Sequence, residues 1–271
     1  MKTEEINKDF EETTHMKSRK IYPREKTTNN PIYFVETDNE IYIYKKTPKA
    51  NKEKKVYSLL YETNFFPIFE NTYFGEDYLI QKYEKNALYM NPELRLEDLI
   101  KRQNFMMQNR IPELDEELYY NSAPERIFIR LKKHNFYFGN KENILKFLRE
   151  REGFREKVPK LFLHGDLIEG NVLLTPNGIK YIDFERAMFD RMSWELGPIL
   201  FRSNVEEVPN LIKFYVKNSD CNGQDLENAV HYDFVTYLCT FGISVEQSLI
   251  KGTRRDNYLS RISEQLRGMN L

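Results

Sequence analysis

The stretch that decides the fold is Leu163-His164-Gly165-Asp166-Leu167-Ile168-Glu169-Gly170-Asn171, followed further on by Ile182-Asp183-Phe184-Glu185. Residues 160–163 just before it form an apolar run typical of a short strand. Residues 171–174 and 179–182 read as two further strands around Thr175-Pro176-Asn177-Gly178, and Asn-Gly is a strong signal for a tight hairpin turn. A strand, a loop and a hairpin in this order predict that three polar side chains, Asp166, Asn171 and Asp183, meet at one edge of a sheet.

These three side chains have the chemistry that phosphoryl transfer requires. The reaction needs an acceptor hydroxyl that is positioned and relieved of its proton, and a divalent ion held against the phosphate charge. Asp166 is a candidate base. Asn171 and Asp183 offer oxygen atoms, which Mg²⁺ prefers, and a magnesium site needs only a few protein ligands beside water and phosphate. The sequence therefore predicts a nucleotide-dependent kinase.

The same residues resemble the catalytic and metal-binding loops of the aminoglycoside phosphotransferase and choline kinase superfamily, the small-molecule relatives of the protein kinases. The resemblance implies that Asp166 is the catalytic base and that Asn171 and Asp183 bind Mg²⁺. It also makes His164 a candidate catalytic residue, with support of the loop favoured over a direct role in proton transfer. Glu185 stands where protein kinases carry glycine, which argues against a protein substrate. The resemblance also implies ATP and Mg²⁺ as cofactors.

An α+β fold follows from the resemblance: a bilobal, protein-kinase-like molecule. We expect a small N-terminal lobe with an antiparallel sheet over residues 1–82 and a larger, mainly helical, catalytic and acceptor-binding lobe over residues 83–271. Residues 1–25 are polar and are predicted to be either an arm or a helix laid over the small lobe. The patterns at 31–37 and 40–45 predict a hairpin, and those at 143–150, 204–218 and 224–250 contain amphipathic helices.

A lysine at the end of the second predicted strand precedes a helix with an apolar stripe and a glutamate. By the resemblance, Lys45 contacts the α and β phosphates and Glu53 holds the lysine in place. Lys46 is the main alternative, because a shift of one residue in a strand moves a side chain to the other face.

Two further segments are predicted to contact the nucleotide. The turn that would cover the phosphates, Thr27-Thr28-Asn29-Asn30-Pro31, contains no glycine, and Asn30 is our candidate contact there. The connection between the lobes is predicted at Lys82-Tyr83-Glu84, whose peptide groups would hydrogen-bond the purine. Because such bonds use the main chain, the side chains do not separate ATP from GTP.

The acceptor is predicted to be a small molecule with a hydroxyl group, such as an aminoglycoside, a choline-like amino alcohol or another metabolite. High aromatic content and one acidic run are compatible with a cationic acceptor, but aromatic residues also fill cores and acidic runs also form surfaces. The run comprises Glu113, Asp115, Glu116 and Glu117. Two other functions stay open: a catalytically silent nucleotide-binding or structural relative and, less favoured, a protein kinase.

Composition restricts the partners. A net charge of −1 gives no basic surface of the kind that captures nucleic acid, and none is expected as a partner. The two cysteines are too few for a disulfide framework or a zinc site. No signal peptide or membrane span is recognisable, so a cytoplasmic protein without a membrane partner is expected. The oligomeric state is left open.

Overall fold

Alternating aromatic and β-branched residues in the N-terminal part of the chain form an antiparallel sheet. The structure is a computed structural model and describes residues 3–24, 31–84, 88–89, 91–109, 130–131, 133, 138–247 and 252–271. Within these residues the sheet has the strand order β1-β2-β3-β5-β4. The strands are β1 (Lys20–Pro23), β2 (Ile32–Glu36), β3 (Ile41–Lys46), β4 (Thr72–Phe74) and β5 (Tyr78–Lys82).

One face of this sheet is covered by helix α1 (Thr3–Thr14). Ile6 and Phe10 lie one turn apart on α1 and are fully buried against Val35, Tyr42 and other core residues of the sheet. Of the two alternatives for the first 25 residues, the structure has a helix over the sheet at this position. The helix lies there because its two large apolar side chains complete a core that the strands alone leave open.

Helix α2 (Ala50–Thr63) follows β3 and buries its predicted apolar stripe. It ends at Asn64, which adopts the left-handed conformation with φ of 54° and donates its N–H to the Leu60 carbonyl. Asparagine is one of the few residues besides glycine that takes this conformation readily. The helix end is therefore encoded locally.

The predicted hairpin is present as β8 (Val172–Thr175) and β9 (Gly178–Tyr181), and the short strand β6 (Leu88–Tyr89) pairs with β8. Gly178 has φ of +95°, which suits glycine, and the Thr175 hydroxyl donates a hydrogen bond to the Gly178 carbonyl at 2.7 Å. The Ile182 N–H donates to the Asn171 carbonyl at 3.1 Å, which extends the pairing. The turn thus sets which residues face each other along both strands.

The remainder is mostly helical, apart from the antiparallel pair β7 (Lys160–Leu163) and β10 (Met188–Arg191). Its helices are α3 (Pro92–Gln108), α4 (Lys141–Arg155), α5 (Leu196–Arg202), α6 (Val208–Asn218), α7 (Gln224–Gln247) and α8 (Thr253–Gly268). No helix in the described ranges combines the length and the apolar composition needed to cross a bilayer.

The chain divides into two compact units. The first holds the chain up to Tyr89 together with Gly170–Glu185, and the second holds the rest. The β8–β9 hairpin therefore groups with the N-terminal sheet. The lobe boundary expected after Lys82 stays a prediction.

Candidate active site

In the first unit, Lys45 is surrounded by three carboxylates. Its Nζ lies 3.1 Å from Glu53 Oε1, 2.7 Å from Asp183 Oδ1 and 3.4 Å from Glu185 Oε2. Glu53 comes from α2 and is fully buried, so the lysine joins β3, α2 and the end of the β8–β9 hairpin. The predicted pair of Lys45 and Glu53 is present as an ion pair, and Asp183 lies in the same cluster.

The electrostatics of this cluster favour a charged lysine. Burial opposes the charge, but the carboxylates of Glu53, Asp183 and Glu185 outweigh burial and raise the pKa of Lys45 above its ordinary value. Burial dominates for Glu53 and raises its pKa to about 7, against the attraction of Lys45. Lys46 instead pairs with Asp77 at 2.9 Å, and both of these side chains are exposed.

Asn171 and Asp183 lie at the open ends of the β8–β9 hairpin, next to the Asn171–Ile182 backbone hydrogen bond. Asn171 is buried, whereas 37% of the Asp183 side chain is exposed. Asp183 has φ of +67°, a conformation that most residues with a β-carbon avoid. The backbone of Asn171 therefore lies opposite Ile182, one position before Asp183, within the first unit.

In the second unit, the loop after β7 carries His164, Gly165 and Asp166. The buried Glu195 carboxylate accepts hydrogen bonds from the His164 N–H at 3.0 Å and the Gly165 N–H at 2.7 Å. A β-carbon at Gly165 would collide with the carbonyl oxygen of Arg186, and its φ is +79°, so glycine is required there. Both carboxylate oxygens of Glu195 are therefore engaged by the loop.

A hydrogen bond from a separate helix also stabilises this loop. The Arg95 guanidinium of α3 donates to the Leu167 carbonyl at 3.1 Å, directly after Asp166. Burial, opposed by the Gly165 and His164 N–H groups and reinforced by the Asp166 charge, raises the pKa of Glu195 to about 7. The His164 side chain is fully buried, which favours the supporting role over proton exchange with substrate.

The predicted hinge, Lys82 to Glu84, ends β5 in the first unit. Lys82 forms an ion pair with Glu40, and the Tyr83 N–H donates to the Ile41 carbonyl at 2.8 Å. That N–H is therefore already used by the sheet. The Tyr83 ring instead packs 5.2 Å from Phe34, whose other neighbour is Tyr22 at 5.4 Å.

These aromatic rings share a face of the sheet with the phosphate lysine candidate. Phe34 lies opposite Ile43, and residues 43 and 45 point to the same side because side chains alternate along a strand. Asn30 and the acidic run at residues 113–117 lie outside the described residues.

The model of the phosphotransferase enzyme family matches residues 21–223, about three quarters of this sequence. The chain belongs to the phosphotransferase enzyme family. Membership confirms the predicted family and the prediction of a small-molecule phosphotransferase, and it does not favour the silent or protein-kinase alternatives. The comparison with curated proteins gives no match at a significant level.

Solved structures similar to this phosphotransferase confirm its protein-kinase-like fold. The choline kinase LicA from Streptococcus pneumoniae has 16% sequence identity and a TM-score of 0.67, over 98% of each chain. A macrolide 2'-phosphotransferase type I has 14% identity and a TM-score of 0.69, over 97% of this chain and 96% of its own. Spectinomycin phosphotransferase APH(9)-Ia, solved with ADP and spectinomycin, has 12% identity and a TM-score of 0.65, over 100% of this chain and 99% of its own.

Several residues near the candidate site of this phosphotransferase were not predicted as partners. Glu185 contacts Lys45, and its carbonyl accepts a hydrogen bond from Lys52 Nζ at 3.1 Å. Burial and the charge of Lys49 lower the pKa of Lys52 to about 8. Arg95 lies far from the loop in sequence, so no local pattern reveals its role. Glu185 could have been selected from the sequence as a partner of the site, because it follows the candidate metal ligand Asp183 by two residues.

Proposed function

We propose that this phosphotransferase moves the γ-phosphoryl group of ATP to a hydroxyl group of a small molecule, with Mg²⁺ as the metal ion. In this proposal Asp166 accepts the hydroxyl proton, and Lys45, held by Glu53, neutralises charge on the α and β phosphates. Asn171 and Asp183 hold the metal ion. The convergence of Asp166 with these residues stays a prediction, as does a cytoplasmic location.

One observation carries the proposal: a buried lysine is ion-paired to a buried glutamate and also contacts Asp183, the candidate metal ligand. A buried lysine in a purely structural role needs one partner carboxylate, whereas Lys45 contacts three. An incoming phosphate can exchange with a carboxylate at such a lysine without leaving its charge unpaired. The arrangement supports phosphate binding at Lys45 rather than at Lys46.

The donor set of the first unit suits magnesium. Glu53, Asp183 and Glu185 each offer a carboxylate oxygen within 4.8 Å of the others, and Asn171, whose backbone pairs with Ile182, can offer an amide oxygen. These are oxygen ligands, which a hard divalent ion prefers. When bound, the ion would neutralise negative charge on the phosphates. We propose Asn171 and Asp183 as its ligands, because Glu53 is fully buried and engaged by Lys45.

We propose that the purine ring of ATP binds at the aromatic row of Tyr22, Phe34 and Tyr83. A purine presents a flat apolar face, and aromatic rings stack on such faces. Of the peptide groups in the hinge, the Tyr83 N–H is occupied by the Ile41 carbonyl. We therefore propose that packing against the aromatic rings contributes more to purine binding than hydrogen bonds from the hinge peptide groups do.

The proposal is tested with purified wild-type protein and the variants D166A and D166N. ATP consumption is measured with Mg²⁺ against aminoglycosides, choline, ethanolamine, sugars, hydroxy acids and sugar phosphates. We expect turnover with at least one acceptor, and a fall of at least ~10² in kcat for both variants, the usual contribution of a general base. Nucleotide binding should be nearly unchanged. Wild-type turnover in D166A would contradict the assignment of the base.

A further inference from the structure

Five aromatic side chains form a cluster in the second unit. The Tyr237 and Phe241 rings of α7 are stacked with centroids 6.0 Å apart and an interplanar angle of 10°. Phe241 lies 5.1 Å from Phe201 and 5.3 Å from Tyr258, and Trp194 lies 6.3 Å from Tyr237. We call these residues the aromatic cluster.

The aromatic cluster is adjacent to the loop that carries Asp166. Trp194 precedes Glu195, whose carboxylate binds the Gly165 N–H at 2.7 Å. A β-carbon at Gly197 would lie 2.7 Å from the Tyr237 ring, so this ring packs directly on the start of α5. Burial raises the pKa of Tyr237, and the negative charge of Asp166 raises it further.

Arginines lie around the part of the aromatic cluster that contains Tyr258. The Arg202 guanidinium lies 5.9 Å from the Tyr258 ring centroid, and Arg254 places Nε and a terminal nitrogen 3.4 Å from the Tyr258 hydroxyl. The main chain of Arg186 abuts Gly165, and its side chain is exposed. Among the described residues none of these three guanidiniums has a carboxylate within 4.0 Å.

Two observations show that this positive charge is not neutralised locally. Arg202 Nε is buried and makes no hydrogen bond to any described residue. Although burial acts in the opposite direction, the hydrogen bond from Arg254 and the charges of Arg254 and Arg202 lower the pKa of Tyr258. A lowered phenol pKa marks a site where an added negative charge is stabilised.

We propose that the acceptor is a small hydroxylated molecule that carries an anionic group, a carboxylate or a phosphate, bound by Arg202 and Arg254 with Arg186 at the edge of the site. This rests on the proposed function and specifies its substrate class. Arginine binds both anions through paired N–H donors, which places the acceptor in a fixed orientation. A cationic acceptor at this site would meet three guanidiniums of its own sign.

Binding to the full-length protein is measured by thermal shift and calorimetry with Mg·ADP present, using matched acceptors. The pairs are glycerate with glycerol and glucose 6-phosphate with glucose, and choline is the cationic probe. We expect an anionic member to bind at least tenfold more tightly than its neutral partner and to be phosphorylated. The two pairs distinguish a carboxylate from a phosphate. Tighter binding of choline, or no binding of either anion, would overturn the proposal.

The variants R202Q and R254Q identify the residues responsible. Each should weaken binding of the anionic acceptor at least tenfold without changing the KM for ATP, and R202K should recover part of the loss. Arg254 is exposed on α8, so its replacement is a safe test if R202Q does not fold. R267Q, at the exposed far end of the same helix, is the control. Unchanged affinity in R254Q would contradict the proposal.

Failure of the proposed function gives a different pattern. If the wild-type protein binds an anionic acceptor through Arg254 but consumes no ATP, the proposed phosphotransfer is wrong and the anion site stands. If ATP is consumed only with choline or a neutral acceptor, phosphotransfer stands and the anion site is wrong.

Discussion

The Lys45 side chain is buried among the carboxylates of Glu53, Asp183 and Glu185. Its neighbour Lys46 has the same charge but lies in an exposed pair with Asp77. The two lysines differ by one position along β3 and therefore point to opposite faces of the sheet. This pair offers a matched comparison within one strand.

We expect K45A to lower kcat/KM for ATP by about 10² or more, because a preorganised charge on the phosphates is lost. K46A should stay close to the wild type. Steady-state kinetics with varied Mg·ATP measure both, and circular dichroism checks that both variants are folded. An equal loss in the two variants would assign the effect to general charge rather than to Lys45.

The raised pKa of Glu195 predicts that the free energy of unfolding depends on pH. Its pKa is raised from 4.5 to about 7 in the folded protein, so between these values the folded state keeps a proton that the unfolded state has released. Stability from this group is therefore present below pH 4.5 and falls as the pH rises through the window, by about 3 kcal/mol in total.

The measurement is urea unfolding of the wild type and E195Q at pH 4.5, 6 and 7.5. The free energy of unfolding of the wild type minus that of E195Q should fall across this series and be level above pH 7. E97Q, on the exposed face of α3, controls for removal of a carboxylate. A difference that rises with pH would show that the N–H groups of the loop dominate over burial.

At the scale of elements, α1 is the helix whose contribution is easiest to isolate. Phe10 is fully buried, and its ring lies 5.5 Å from Tyr42. We expect F10A to lower the free energy of unfolding by about 3 kcal/mol, since a large buried side chain is lost and a cavity remains. K8A, on the exposed side of the same helix, should change it by less than about 0.5 kcal/mol. Urea unfolding followed by circular dichroism measures both, and equal midpoints would show that α1 is not packed on the sheet.

Elements with strong local patterns were predicted from the sequence. The β8–β9 hairpin follows from Asn177-Gly178, and α4 covers the amphipathic pattern at residues 143–150. Strand β10 was not predicted. Its Asp190 is buried because Arg155 of α4 pairs with it at 2.7 Å, and an interaction between residues that far apart leaves no local pattern.

The residues of the candidate site also fall into two groups, those that sequence patterns reveal and those that only the structure reveals. Asp166, Asn171 and Asp183 could be selected from sequence because their residue types and spacing carry the chemistry. The arginines around the aromatic cluster could not, since Arg186, Arg202 and Arg254 come from three separate segments. Only packing of α5, α7 and α8 shows that Tyr258 has two of them as neighbours.

For the molecule as a whole, a nucleotide that binds only the folded state stabilises it by mass action. At a concentration of 100 times Kd the gain is about 2.7 kcal/mol. We expect Mg·ADP to raise the Tm of the wild type and of K46A by several degrees and to have little effect on K45A. Differential scanning fluorimetry measures the shifts. A full shift in K45A would place the phosphates away from this lysine.

The left-handed backbone of Asp183 limits which residues its position tolerates. Asparagine and glycine accept φ of +67° readily, whereas a β-branched side chain meets its own carbonyl group. The backbone conformation at position 183 therefore restricts the substitutions accepted there, before any requirement for metal binding does. A library randomised at codon 183 and selected for folding alone, without selection for turnover, should already be enriched in aspartate, asparagine and glycine.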